Sequence, residues 1–208
     1  MTSYFPNGTL NTLGGIPGQS AWTYGPDGEG RLFSAIQGAT TDVSTVTYNA
    51  ASQPLTLGYG NGDSDTYGYD STGRMQNYTF TVGSTPTSIG GALYWNANGS
   101  LRQLAITDGF NSGGTQTCNY NSAGTAGYDD LGRLINVNCG TLWSQTFSYD
   151  QYDNLTKSGS ITWAPGYNAA NNHYSLAGTS YDSKGNLLKD TFFTYSWNVY
   201  DRRCPELR

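Results

Sequence analysis

Tyr128-Asp129-Asp130-Leu131-Gly132-Arg133-Leu134 decides the fold. It sets an aromatic residue before an acidic turn-former, leaves two free positions, then places a glycine, a base and an aliphatic residue. Asp and Asn side chains accept hydrogen bonds from backbone donors two residues on and so nucleate a turn. A glycine three residues later takes a positive φ without steric cost. Together they specify a hairpin loop of roughly three to five residues with a left-handed position. Tyr128 and Leu134 then face each other across the hairpin, a pairing worth about 0.2–1 kcal/mol.

The stretch recurs along the chain. Tyr69-Asp70-Ser71-Thr72-Gly73-Arg74-Met75 is a second clean copy. Tyr181-Asp182-Ser183-Lys184-Gly185-Asn186-Leu187 and Trp95-Asn96-Ala97-Asn98-Gly99-Ser100-Leu101 keep the spacing and lose the arginine. Worn copies begin at Tyr24, with two residues inserted before Gly30-Arg31-Leu32, and at Tyr48-Asn49. Others begin at Tyr149-Asp150 and Trp197-Asn198, where Asp153 and Asp201 stand at the glycine position. Asn and Asp are the next most tolerant residues of a left-handed backbone. Tyr120 to Gly124 has the aromatic and the glycine of a further copy but runs straight into Tyr128. Intervals of roughly 20 to 30 residues with variable loops mark a repeat architecture.

Strand patterns flank the copies. Val43 to Tyr48, Leu55 to Tyr59, Met75 to Val82 and Leu101 to Thr107 alternate or are rich in β-branched and aromatic residues. Further strands are read at Ser20 to Tyr24, Asp65 to Tyr69, Ala92 to Trp95, Leu134 to Val137, Trp143 to Tyr149, Ile161 to Trp163 and Leu187 to Tyr195. Loops are expected at 83–91, 108–114 and 165–172. No long window has apolar spacing suited to an amphipathic helix. The fold class is therefore all-β: consecutive antiparallel hairpins forming one long curved sheet. A single domain of 208 residues is expected, with an irregular lead-in over 1–20, repeats over 21–203 and a tail over 204–208.

Composition agrees. Charged residues make up 12%, about half the usual share, while Gly and Tyr number 28 and 17. Net charge is -5 and lysine is scarce, so the electrostatic footprint of a nucleic-acid or anionic-membrane binder is missing. No apolar window is long enough for a transmembrane helix. The N-terminus carries neither the basic region nor the apolar stretch of a signal peptide. The three cysteines are an odd, sparse set rather than a disulfide framework. Cys118 and Cys139 flank the copy at Tyr128, where a hairpin would bring them close, but they read first as small buried hydrophobes.

Residues with chemical potential have simpler explanations. His173 is the only histidine, so any Ser-His-Asp or Cys-His site would need it, and it lies in the loop sequence Asn171-Asn172-His173-Tyr174. A zinc-ligand spacing is absent. Asn61-Gly62-Asp63-Ser64-Asp65 resembles an acidic calcium loop but lacks the following glycine and the distant bidentate glutamate. Asp129-Asp130 sits where a turn uses acidic side chains for local backbone bonds. Gly28-Glu29-Gly30 precedes no helix and is no phosphate cradle. No catalytic residue, cofactor site or metal site is therefore assigned, and no enzymatic activity is expected. The arginines are expected over neighbouring tyrosine rings, worth about 0.5–1 kcal/mol when exposed.

On these motifs, from about Tyr24 to Arg202, the chain resembles the RHS or YD-repeat family. Its relatives include bacterial RHS proteins, shell components of insecticidal Tc complexes and the teneurins. The resemblance implies hairpins wound side by side into a spiralling sheet. In full-length relatives that sheet closes into a hollow shell around a C-terminal polymorphic toxin. The chain departs from them in lacking the Asp-Pro-Xaa-Gly-type core signature and room for a toxin domain. The resemblance thus implies a non-catalytic shell segment, with the rest of the shell and its cargo as partners. It also implies a secreted or cell-surface location. A second reading is a carbohydrate- or surface-binding module using exposed aromatics such as Trp143 and Trp163. An isolated piece of sheet would also have open edges, so it either self-associates or covers them with loops.

Overall fold

A computed structural model describes residues 2–83, 87–120, 126–200 and 202–204. The expected all-β architecture is what it shows. Fourteen strands form one antiparallel sheet in strict sequence order. They are β1 (Thr2–Tyr4), β2 (Leu10–Leu13), β3 (Trp22–Pro26), β4 (Leu32–Gln37), β5 (Thr40–Tyr48), β6 (Pro54–Tyr59) and β7 (Ser64–Tyr69). The order continues with β8 (Met75–Val82), β9 (Thr87–Trp95), β10 (Leu101–Asp108), β11 (Gly114–Asn119), β12 (Asn136–Asn138), β13 (Ser144–Tyr149) and β14 (Leu155–Gly159). Two small hairpins follow, β15 (Ser180–Tyr181) with β16 (Leu187–Lys189), and β17 (Ser196–Trp197) with β18 (Arg203–Cys204). Among the described residues the only helical turn is a short 3₁₀ segment over Gly109–Asn111.

Several loops and boundaries differ from expectation. The opening segment is not irregular: β1 and β2 close a hairpin through Phe5, whose N–H donates to the Thr9 carbonyl. The loop expected over 83–91 gives way to β9 from Thr87, and that expected over 108–114 ends as β11 begins. Threonine suits a strand as readily as a loop, and Thr87 and Thr115 gave the polar stretches at these strand starts no apolar alternation to mark them. Ile161 to Trp163 is no strand; Trp163 makes one antiparallel bridge to Lys157. In the tail, Cys204 pairs with Ser196 in β18. The possible copy at 121–124, Pro86 and Asp201 lie outside the described residues.

Register sorts the side chains onto two chemically different faces. Val46, Leu57, Asp65, Phe80 and Ile89 are successive cross-strand neighbours on one face. Thr47, Thr56, Thr66 and Thr79 succeed one another on the other. The hydroxyls of Thr47 and Thr56 bond at 2.6 Å. The apolar row meets few covering groups. Among the described residues the buried apolar side chains are few, Ala35, Val46, Cys118, Val137, Cys139 and Pro165, and Phe80 and Val82 are exposed. Gly91 in β9 has its own packing reason, since a Cβ there would run into the Tyr78 ring lying across it.

Candidate functional site

The repeated turns line one rim of the sheet, and the same hydrogen bonds build each of them. The N–H of Asp70 donates to the Arg74 carbonyl at 2.8 Å, and the N–H of Gly73 donates to the Asp70 carbonyl at 2.9 Å. Pairs of the same kind join Asp27 to Arg31 and Gly30, Asn96 to Ser100 and Gly99, Asp129 to Arg133 and Gly132, and Asp182 to Asn186 and Gly185. Gly73, Gly99, Gly132 and Gly185 have φ between 76° and 91°, as the sequence required. Asp153 takes the same conformation at φ 63° and Ser52 at φ 61°.

The acidic side chain is the centre of the turn. Asp70 Oδ1 accepts from the N–H groups of Thr72 at 2.8 Å and Arg74 at 2.9 Å, while Oδ2 accepts from Arg74 Nε at 2.7 Å. Asp129 repeats this with Leu131 and Arg133, and Asp27 with Glu29 and Arg31. Where arginine is lost an amide replaces it: Asn154 Nδ2 donates to Asp150 Oδ2 at 2.8 Å, and Asn186 Nδ2 to Asp182 Oδ2 at 3.0 Å. The Thr72 hydroxyl, with the Arg74 and Thr72 N–H groups and the guanidinium, outweighs burial and holds the Asp70 carboxyl far below its ordinary value. Burial alone would raise Asp129; the Arg133 N–H and guanidinium overcome it and lower the carboxyl. Asp150 and Asp182 are lowered chiefly by their asparagine donors.

The aromatic position reaches backward. Tyr48 Oη donates to the Leu32 carbonyl at 2.7 Å, Tyr69 Oη to Pro54 at 3.0 Å and Trp95 Nε1 to Met75 at 2.7 Å. Tyr128 Oη reaches Leu101 at 2.9 Å, Tyr149 Oη reaches Leu134 at 2.9 Å and Trp197 Nε1 reaches Leu187 at 2.8 Å. Each acceptor is the aliphatic position of the preceding copy. The arginine position reaches forward. Arg31 lies 4.4 Å over the Tyr48 ring, Arg74 5.9 Å over Trp95 and Arg133 4.5 Å over Tyr149. Arg74 Nη1 also donates to the Asn96 carbonyl at 3.2 Å, and Arg133 Nη1 pairs with Asp153. Gln53, at an arginine position, donates to the Gly73 carbonyl at 2.7 Å. The expected aromatic–aliphatic pairs within one hairpin are also present, as Tyr69 opposite Met75, Trp95 opposite Leu101 and Tyr181 opposite Leu187.

Three assignments need correcting. Tyr24 does not hold the aromatic position of its copy. Pro26 does, opposite Leu32, while Tyr24 pairs with Ala35 and stacks on Trp22. No residues are inserted; the turn starts two residues later. The polar loop over 165–172 contains a further copy of the turn, in which Asn168 N–H donates to the His173 carbonyl at 2.8 Å and Asn172 is left-handed at φ 59°. One extra residue disguised it. Cys118 and Cys139 are joined in a disulfide, with Cα atoms 3.9 Å apart.

The other chemically suggestive residues are engaged structurally. His173 stacks on Tyr181 with ring centroids 4.0 Å apart. Asp63 accepts from Gly83 N–H and from Asn61 Nδ2, and Asp65 from the hydroxyls of Tyr59 and Tyr67. The Asp65 carboxylate, with burial, pushes the Tyr59 hydroxyl up to about 12. Asp42 holds one carboxylate oxygen without a protein partner, beside a cleft of about 690 Å³ lined by Trp22, Tyr59, Asn61 and Asp63. That oxygen is shielded from solvent, and Asp42 itself lines the cleft.

No protein-family model and no curated protein matches the sequence. Solved structures of TcdB2–TccC3 complexes share the fold. The complex with Cdc42 aligns with TM-score 0.74 and 15% identity over 98% of this chain and 12% of that one. TcdB2–TccC3 alone gives 0.70 and 16% over 98% and 13%. The form without the hypervariable C-terminal region gives 0.67 and 16% over 98% and 12%. The chain thus spans about an eighth of the chains it matches. The likeness is one of architecture: a run of antiparallel hairpins in a single continuous sheet.

Proposed function

We propose that the protein is a structural module: a wall segment of an RHS-type β-shell that encloses a polypeptide cargo and performs no catalysis. The rim carries this reading. The aspartates there are engaged within their own turn, and the repeated aromatic and arginine side chains reach the copy before or after, so the motif builds a wall. The fold shared with TcdB2–TccC3 supports the reading, as does the resemblance of the motifs to the RHS family. A wall of this kind works outside the producing cell, which agrees with the disulfide. The coding sequence beyond Arg208 tests it. A core signature followed by a toxin reading frame is the expected result; a frame that continues into an unrelated enzyme would overturn it.

A second reading has one observation in its favour. Trp143 and Trp163 remain 37% and 38% exposed, and a groove of about 350 Å³ runs past Trp143, Phe147, Lys157 and Ile161. Aromatic faces beside the Lys157 cation suit stacking on a sugar. Saturable binding on a glycan array, lost in Trp143→Ala, would support a carbohydrate-binding role; an array without hits would remove it.

A further inference from the structure

The sheet is paired most weakly at the seam between β11 and β12. β10 and β11 share six register pairs and β12 and β13 share three, whereas β11 and β12 share one, Asn119 opposite Asn138. Among the described residues between them, the hairpin through Tyr128 pairs with itself, Ile135 N–H donating to the Gly127 carbonyl, and side chains link it to its neighbours, Tyr128 Oη on the Leu101 carbonyl and Tyr149 Oη on the Leu134 carbonyl. Backbone pairing therefore joins β1–β11 to β12–β14 by little. The Cys118–Cys139 disulfide sits on that seam, next to the single register pair, with each cysteine 3% exposed. With Val137 it forms a buried cluster, against which Tyr120, Leu134 and Phe147 pack.

We propose that this disulfide is a redox latch, which locks the two plates of the sheet together in an oxidising compartment and lets the C-terminal plate loosen in a reducing one. The reductant is a dithiol. Its thiolate attacks one cysteine sulfur, breaking the S–S bond and forming a mixed disulfide; its second thiolate then displaces the protein thiol. Two electrons pass to the protein, leaving two cysteine thiols and the oxidised dithiol. Because both sulfurs are buried, attack waits on opening of the seam, so the latch resists brief reduction. The inference stands independently of the shell reading, because it rests on strand pairing and on the disulfide that crosses it.

Hydrogen exchange of the full chain, before and after dithiol reduction, tests the latch. An intact mass two hydrogens below the reduced chain must first show the bond, with Cys204 as the one free thiol; three free thiols in air-oxidised protein would overturn the proposal. On reduction, amides of 136–159 are expected to exchange at least about tenfold faster, while those of 54–82 change less than about twofold. Reoxidation restores the original pattern. Uniform acceleration across the sheet, or none, would overturn the latch. A Cys204→Ser variant behaving like the parent shows that the effect belongs to Cys118 and Cys139, and Cys118→Val/Cys139→Val should reproduce the reduced pattern.

Discussion

At Gly132 the turn requires a φ of 76°, and nothing lies within 4 Å of the position a Cβ would take. A substitution there isolates backbone strain from packing. Gly132→Ala is expected to cost about 1–2 kcal/mol in urea unfolding, and Gly132→Asn clearly less, because asparagine tolerates the left-handed region. Equal costs would mean that the loop relaxes out of this conformation. The acidic residues make the turns sensitive to acid. Asp70, Asp129, Asp150 and Asp182 all have carboxyls lowered from the ordinary 3.8. A lowered carboxyl contributes stability that is whole above its unfolded value and lost as pH falls through its native one. The urea midpoint should hold steady from about pH 7 to about pH 5 and decline below about pH 4. A midpoint unchanged at about pH 3 would contradict this role. Turn chemistry of this kind was legible in the sequence, because Asp, Gly and their spacing act within five residues. The true aromatic position at Pro26 was not, since proline leaves no trace of the tyrosine pattern that flags the other copies.

The hairpin is the next scale, and its contribution is to hold its neighbours. Tyr69→Phe removes one hydroxyl that bonds the Pro54 carbonyl and keeps the ring opposite Met75. A loss of about 0.5–1.5 kcal/mol is expected, the usual net worth of such a bond. No loss in thermal or urea unfolding would show that water satisfies the carbonyl equally well. The strands at Met75 to Val82 and Leu101 to Asp108 were readable from their alternation. The first half of β9 and all of β11 were not, because glycine, serine and threonine are frequent in segments packed against Tyr78 and the cysteine cluster. Links between copies were equally hidden. Which carbonyl a tyrosine reaches depends on the stagger of successive hairpins, and no single hairpin encodes that.

Across the whole molecule the sheet is a single layer. Its accessible surface is 13712 Å², against about 9,400 Å² for a compact monomer of 22.4 kDa. The excess, roughly 4,300 Å², is the size of an obligate interface. One edge is already protected, since Trp163 folds back onto Lys157 of β14. The other ends in the three-residue strand β1, whose outer side pairs with nothing among the described residues. The isolated chain is therefore expected to associate with rising concentration in size-exclusion light scattering; a concentration-independent monomer would contradict the need for a covering partner. The all-β class and the repeat were plain in the sequence. The disulfide was not, because it depends on the strand that brings Cys118 opposite Cys139.

The central claim is that consecutive turns are interlocked into one rim. Asp70→Ala tests it most directly, because Asp70 holds Arg74, Arg74 holds Asn96, and Gln53 holds Gly73. Amide exchange read residue by residue by NMR should accelerate at 70–74 and also in the neighbouring turns over 49–53 and 96–100, while 168–173 stays unchanged. Acceleration confined to 70–74 would show that each hairpin stands alone, and would contradict the account.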